Sequence, residues 1–494
     1  MKRILSFVLV LALSAAFCGC KGEGSSSAGA NNTNTDIRLI SEYADTLDTF
    51  DDKNIVLTSA VFSDVHISGS WNYENSYKQA IKAIEFTTNA SVNKKLDAVC
   101  IAGDLVDCTC SPSNVLYGSE GYPATYEEAH AEQSLKEKQN LLRVFEDGLD
   151  KSTQLFYCLG NHDSSKGSHA QEFIDVLSGE NNENYEWFYG NDLDKEALKI
   201  GNRHMIINGY HFLALEFNAG KSDYEWLKKQ LDAIVDENPA QTIFFLNHLR
   251  PNNMTFASAG QDKEIKELLE AYPQVIVFGG HTHSPIDFDS ALMQSEKGFI
   301  SVDCGSVSYL DDFSVGTGDR AAENTTANDM KAISTGLLLE VDKNGCVRIS
   351  RYNFTIGEKC GASFVIPPVK QDGTRELLYT KNRQGTADEI KFLSDKATAI
   401  GGKFTVSVTF PAAFTNQKIL RYEVYFTTGD KKSKTYYISS RYFRYATPAD
   451  MPTEYSQEFS PNITLTPGES TVNITAFDAW GNRSETLTCI LEEK

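Results

Sequence analysis

The sequence is short of positive charge. It has 46 lysines and arginines against 67 aspartates and glutamates, a formal charge of −21. The acid excess is spread along the chain. Nucleic-acid binding, beyond a nucleotide as substrate, is therefore not expected, and neither is attraction to an anionic membrane. An anionic substrate would need a local positive centre to overcome the general field. Histidine is scarce as well: there are nine, and none lies beyond His283. The C-terminal part thus has no imidazole for metal or acid–base chemistry. After the N-terminus no apolar run is long enough to span a bilayer as a helix. The ten cysteines follow no disulfide framework and no zinc-knuckle spacing. Cys100 and Cys158 lie in apolar runs and read as buried thiols, whereas Cys108 and Cys110 flank one threonine and read as exposed. There is no internal repeat.

The N-terminus is MKRILSFVLVLALSAAFCGC. Lys2 and Arg3 precede an apolar run from Ile4 to Phe17 that ends in small residues. That is the pattern of a secretory signal over residues 1–20, too short for a comfortable membrane span. The end FCGC resembles a bacterial lipoprotein box, which implies lipidation at Cys20 and membrane contact only through that anchor. Phe17 stands where an aliphatic residue is usual. Ordinary cleavage after SAA, giving a soluble secreted protein, is the alternative. Residues 21–36 are small and polar and read as a flexible tether. Export to a cell surface or periplasm is expected.

At 494 residues the chain is too long for one ordinary domain, and 41% hydrophobic residues suffice for real cores. From about residue 55 to 355 apolar strands alternate with helical patterns. NIVLTSAVFS, LDAVCIAG and TQLFYCLG read as strands, with helices over 73–92 and 125–149. HMIINGYHFLALEF reads as a hairpin around Asn208-Gly209. Helices over 222–236 and 261–271 flank the strands QTIFFLNH and PQVIVFGGH; GFISVDCGS, STGLLLEVD and CVRISRYNF follow as strands. The pattern predicts layered α/β with sheets buried on both faces. The expected divisions are an α/β domain over 37–360, an unassigned linker over 361–400 and a β-sandwich module over 401–494. The last rests on KFTVSVTF, RYEVYFTT and KTYYISS, which alternate like half-buried strands.

Polar residues recur at the C-terminal ends of the strands, where open α/β sheets place ligands. The ends read FSDVHISG with Asp64 and His66, AGDLVD with Asp104 and Asp107, and LGNHD with Asn161, His162 and Asp163. LNHLRP brings His248 and Arg250, and GGHTHSP brings His281 and His283. Each block alone is weak: a strand-end histidine is commonly a surface residue, and Gly-Asp is a common turn. Five blocks, each closing a strand, make chance a poor account. Carboxylate, imidazole and amide oxygen without thiolate suit Mn, Fe, Zn, Co or Mg. The ligand contributions are too many for one tetrahedral ion. Shared between two, roughly 3.5–4 Å apart, they make a clamp for displacement at phosphorus.

The series DxH, GDxxD, GNHD, NH and GHTH resembles the calcineurin-like metallophosphoesterases, the superfamily of purple acid phosphatases and cyclic-nucleotide phosphodiesterases. The resemblance spans about residues 55–355. It implies a four-layer α-β-β-α sandwich and two divalent ions, Mn, Fe or Zn foremost. Asp64, His66, Asp104 and His283 would hold the first ion, with Asp104 bridging. Asn161, His248 and His281 would complete the second, and Asp107 would be a hydrogen-bond partner. His162 would face the substrate as a catalytic acid, with Asp163 orienting its ring; the alternative for Asp163 is a loop cap. Arg250 would clamp phosphate; the alternative is a surface arginine before Pro251. Two ions, two carboxylates and a bridging hydroxide leave roughly +1 at the site, which answers the need for a local positive centre. Attack by that hydroxide on a phosphate mono- or diester is the implied reaction. A non-catalytic metal-binding or cell-surface binding protein on the same fold is the alternative.

Asp104 to Asn161 is 57 residues, against 40 from Asp64 to Asp104. The surplus, CTCSPSNVLYGSEGYPATYEEAHAEQ, is expected to overhang the site. Trp71, Asn72 and Tyr73 are a second candidate rim, with a helix start as the alternative. His130 and His169 read as non-ligands. The C-terminal module resembles fibronectin-III-like sandwiches in pattern only.

Overall fold

The computed structural model describes residues 50–69, 73–107, 117–163, 170–255, 261–310, 333–382, 388–415, 418–440 and 451–494. The expected signal and tether, Trp71, Asn72, Cys108, Cys110 and His169 lie outside these residues, as does part of the expected overhang, 108–116. Among the described residues no helix is long and apolar enough to cross a membrane.

The chain opens with strand β1 (Ile55–Phe62), helix α1 (Tyr73–Ala90), β2 (Ala98–Ala102), α2 (Tyr126–Gly148) and β3 (Gln154–Cys158). After α3 (Ala170–Leu177) come the hairpin β4 (Arg203–Ile207) and β5 (Tyr210–Ala214), then α4 (Lys221–Glu237) and β6 (Ile243–Leu246). Next are α5 (Lys263–Leu269), β7 (Val275–Gly279), β8 (Leu292–Gln294) and β9 (Ile300–Asp303). Strands β10 (Thr335–Asp342), β11 (Val347–Asn353) and β12 (Phe364–Ile366) complete the region. One sheet runs β11-β10-β1-β2-β3, with β1, β2 and β3 parallel and β10 antiparallel to β1; β12 pairs on β11. The other runs β8-β9-β7-β6-β5-β4, with β5, β6, β7 and β9 parallel.

Strand alternation sets the layers. Leu57, Val61, Cys100 and Phe156 of the first sheet share a core with Phe212, Phe244, Ile276 and Val302 of the second. Their strand neighbours Ala60, Phe62, Val99 and Leu155 pack outward on Ala83, Ile84, Leu141 and Phe145 of α1 and α2. Leu213, Phe245 and Val277 pack outward on Leu227, Leu231 and Leu269 of α4 and α5. Two facing sheets between two helical layers follow, as expected. Tyr73 is the first residue of α1. Helix α2 starts where Thr125 and Glu128 cap each other's backbone N–H, both at 3.3 Å. From α2 the buried Asn140 Nδ2 reaches back to the Ser68 carbonyl at 3.0 Å and ties the helix to the loop after β1.

The C-terminal strands are β13 (Thr398–Gly401), β14 (Val406–Pro411), β15 (Ile419–Thr428), β16 (Tyr436–Ser439), β17 (Glu454–Phe459), β18 (Thr471–Asp478) and β19 (Leu487–Glu493). They form one hydrogen-bonded path around their own core of Val406, Val408, Phe410, Val424, Phe426 and Ile474. The β module starts before residue 401, because β13 pairs with β14 and Lys391–Phe392 already pairs with Ala413–Phe414. The stretch read as a linker is thus divided between the two units, with β12 on the first sheet. Its strands are only two to four residues long, too short for a period to show in the sequence.

Candidate metal centre

The site stands at the C-terminal ends of β1, β2, β3, β6 and β7. Beyond β1 and β2 the two chains stay paired: Asp64 N donates to Gly103 O and His66 N to Asp104 O, both at 3.0 Å. The pairing continues through left-handed backbone. Nine described non-glycine residues have positive φ, and five of them are Asp64 (52°), His66 (48°), Asp104 (51°), His281 (72°) and His283 (48°). Each such residue costs roughly 1–2 kcal/mol, and strain of this kind gathers at functional sites. It also shows why GHTH is not a plain extended segment: the two rings reach different neighbours. Close approach accounts for two glycines. A Cβ on Gly160 would strike the Asp104 carboxylate, and one on Gly280 would strike Ser63 Oγ and Asp64 Oδ2.

The side chains converge in two groups that share Asp104. In one, His283 Nε2 is 3.0 Å from Asp64 Oδ1 and 3.2 Å from His66 Nε2, and His66 Nε2 is 3.7 Å from Asp104 Oδ2. In the other, His248 Nε2 is 3.3 Å from Asp104 Oδ2 and 3.1 Å from Asn161 Oδ1, and His281 Nδ1 is 2.7 Å from the same amide oxygen. Asp64, Asp104 and His248 are fully or almost fully buried, and His66 and His283 are buried.

The hydrogen bonds behind the rings decide what the groups can hold. His283 Nδ1 lies 3.0 Å from the Tyr309 carbonyl and His248 Nδ1 lies 2.7 Å from the Ala102 carbonyl. A carbonyl only accepts, so each Nδ1 carries a proton, and in the neutral ring Nε2 presents a bare lone pair to the carboxylates. Lone pairs set against carboxylate and amide oxygens repel unless a cation or a proton lies among them. The donor set, carboxylate and imidazole with one amide oxygen, fits a divalent ion.

Without an ion, protons take that place. Burial lowers the pKa of His248, but the Asp104 carboxylate outweighs it and raises the ring to about 9. Burial and Asp64 act on His283 in the same opposed way, with a net rise. Burial, reinforced by the charge on His248, lowers His281 to about 4. Burial would raise Asp64, yet His283 and His248 hold it at about 2. Asp104 is depressed further, as His248 and His66 overcome its burial.

Asp107 Oδ1 is 3.5 Å from His66 Nδ1, behind the ring. The His162 ring lies edge-on to His66 at 4.6 Å, and its Nδ1 is 3.3 Å from the Asp107 backbone carbonyl. Asp163 does not orient it. The Asp163 carboxylate is buried and accepts from the backbone N–H of Gly160 (2.8 Å), Val106 (3.0 Å) and Leu105 (3.1 Å). It is the loop cap of the alternative reading, joining the second and third blocks. Burial and the nearby Asp104 push its pKa up to about 7.

Arg250 is not a phosphate clamp. Its guanidinium is buried, paired with the buried Asp303, and donates from Nη1 to Thr255 Oγ1 at 3.0 Å. It joins the loop after β6 to the end of β9. Sequence reasoning also misses two half-buried aromatics beside the centre. The Tyr309 ring is 4.1 Å from His283, and the Phe217 ring is 5.9 Å from His248. Neither belongs to a motif; only their place just after a strand end marks them.

Residues 57–285 match the family model described as Calcineurin-like phosphoesterase. No curated protein matches the chain. Two solved structures align over most of it. One is an engineered protein, 10% identical over 88% of this chain and 86% of that one, with a TM-score of 0.21. The other is the chitinase ChiA74 from Bacillus thuringiensis, 13% identical over 87% and 65%, with a TM-score of 0.13. At such scores neither bears on fold or function. The matched region runs from β1 to just past the GHTH block and contains every residue of both side-chain groups, so residues 57–285 form a domain of the calcineurin-like phosphoesterase family.

Proposed function

We propose that the chain hydrolyses phosphate mono- or diesters with the help of two divalent ions, Mn, Fe or Zn. Asp64, His66, Asp104 and His283 would hold one ion, and Asp104, Asn161, His248 and His281 the other. The observation that carries this reading is the sharing of one carboxylate, Asp104, by both ligand groups. Such ions, when bound, polarise the phosphoryl group and acidify water toward neutral pH.

The chain's own residues supply the rest. Asn161 contributes a neutral oxygen, so the centre keeps the positive charge that an anion needs in a chain of −21. The Asp107 carbonyl holds the proton on His162 Nδ1, which leaves Nε2 as the atom that exchanges a proton with the leaving oxygen. The carbonyls of Ala102 and Tyr309 fix the tautomers of the His248 and His283 rings. A half-exposed imidazole beside the ligands favours an enzyme over a non-catalytic binding protein, which has no use for a proton donor there. The N-terminal pattern supports export and anchoring at Cys20; labelled fatty acid should enter the wild-type chain and not Cys20→Ala.

The test compares bis-(p-nitrophenyl) phosphate with p-nitrophenyl phosphate after metal removal and after return of Mn, Fe or Zn. Turnover should vanish with chelation and come back with metal. Undiminished turnover in thoroughly chelated protein would refute the reading.

A further inference from the structure

Three residues beyond His283 the chain enters a strongly anchored stretch, Ile286 to Ala291. The buried Arg351 on β11 donates from Nη1 to the carbonyls of Ile286 (3.0 Å) and Phe288 (2.9 Å). The other anchors come from the C-terminal module. Lys418, just before β15, reaches Asp287 Oδ2 at 3.4 Å and the Cys360 carbonyl at 2.9 Å. Ser290 Oγ donates to the carbonyl of Ala479, just after β18, at 3.3 Å. Leu420 and Ala479 are buried in the same core as Ile286, Phe288 and Ala291. β15 and β18 are hydrogen-bonded neighbours, with Ile419 opposite Asp478. One tip of the module is therefore built into the catalytic domain, directly after the GHTH block.

The charge at this tip needs a partner. Asp287 is 4% exposed, and a buried carboxylate is costly unless it is paired. Burial pushes its pKa up, against the pull of Lys418 and Arg351. The module thus supplies a cation to a carboxylate four residues from a candidate metal ligand.

We infer that Lys418 is a positioning residue for the metal centre: through Asp287 the C-terminal β module holds the backbone that presents His283. This rests on the two-ion reading above. The module then acts as a brace for the centre rather than as an independent spacer. Residues that couple a site from a distance shift it by about 2- to 30-fold, so the expected effect is moderate and selective.

The test uses the full chain and Zn titration, with bound ions counted by elemental analysis after gel filtration. Lys418→Met should leave Asp287 unpaired and weaken one of two bound ions by about tenfold. The ion held with His283 should be the one affected. Lys418→Arg and the double variant Lys418→Met/Asp287→Asn should restore it, and hydrogen exchange over 281–291 should rise only in the single variant. A general loss of stability would lower the unfolding midpoint without separating the two ions, and the double variant, with no buried charge to strand, guards against misfolding. Two equally tight ions in Lys418→Met, with unchanged exchange, would overturn the inference. A wild-type protein that binds no ion would instead overturn the two-ion reading beneath it.

Discussion

The sharpest consequence of the site's electrostatics is that metal binding should release protons. In the metal-free protein His248 is raised to about 9 by Asp104, so at pH 7 its Nε2 is occupied by a proton. An ion must displace it. Two pH units below that pKa, about 1% of the rings are free, a cost of about 2.7 kcal/mol, or about 100-fold in apparent affinity. At pH 8 the penalty falls to about tenfold, and above pH 9 it disappears. His283 is raised in the same sense and adds to the slope. His281, lowered to about 4, is already free at pH 7 and contributes nothing. Calorimetric titration of the metal-free protein with Zn at pH 7, in buffers of different ionisation enthalpy, counts the protons directly. At least one should leave per protein. Apparent affinity should rise about tenfold from pH 7 to pH 8. His248→Ala should remove one proton from the count. Zn binding with no proton released and a flat affinity between pH 7 and 8 would refute the reasoning.

The stability of the metal-free protein carries the same signature. A raised pKa on His248 contributes stability that is complete below the unfolded value of 6.5 and lost as pH rises through about 9. Between pH 7 and 9 the metal-free melting temperature should fall, and that of the metal-loaded protein should not follow it; parallel curves would count against the His248–Asp104 pair. His162→Ala should lower turnover by about 10²–10⁴-fold with little change in unfolding midpoint or metal content. Asp163→Asn should do the reverse in part, losing about 1–3 kcal/mol in a denaturant titration because three backbone donors lose their carboxylate; a stability-neutral Asp163→Asn would contradict the cap. Arg250→Met should destabilise by about 3–5 kcal/mol by stranding Asp303, with part of the loss recovered in Arg250→Met/Asp303→Asn. A higher KM at unchanged stability would instead revive the phosphate clamp. Asn161→Ala and His281→Ala should each remove most of the turnover and one bound ion; full activity in either would exclude it from the centre.

What could be read in the sequence, and what could not, follows from the range of the forces involved. The α/β layers were legible because each central strand is buried on both faces and so shows a continuous apolar run, as in FFL of β6 or AVCIA of β2. The strand ends were legible because polar residues break those runs abruptly. The backbone that joins them was not. Asp64 and His66 look like alternate residues of an extended chain, yet both are left-handed, a state held by pairing with the Gly103–Leu105 segment that no local pattern announces.

The same reasoning separates the residues whose side chains converge from those whose side chains do not. Asp64, His66, Asp104, Asn161, His248, His281 and His283 come together because each follows a buried strand of fixed register, so sequence order becomes position. Asp163 and Arg250 stand in the same motifs, but their roles depend on which way a side chain turns. Asp163 turns back to three N–H groups on its own and the neighbouring loop. Arg250 turns inward to Asp303, 53 residues away in the chain. A buried guanidinium is stable only with such a partner, and the sequence around Arg250 contains no hint of it. Charge alone therefore says little about whether a residue meets substrate: the deciding question is whether another group in the fold has already claimed it. By that measure Arg250, paired with Asp303 and spent on the fold itself, adds no charge for a substrate, and under the two-ion reading the positive field would come from the ions.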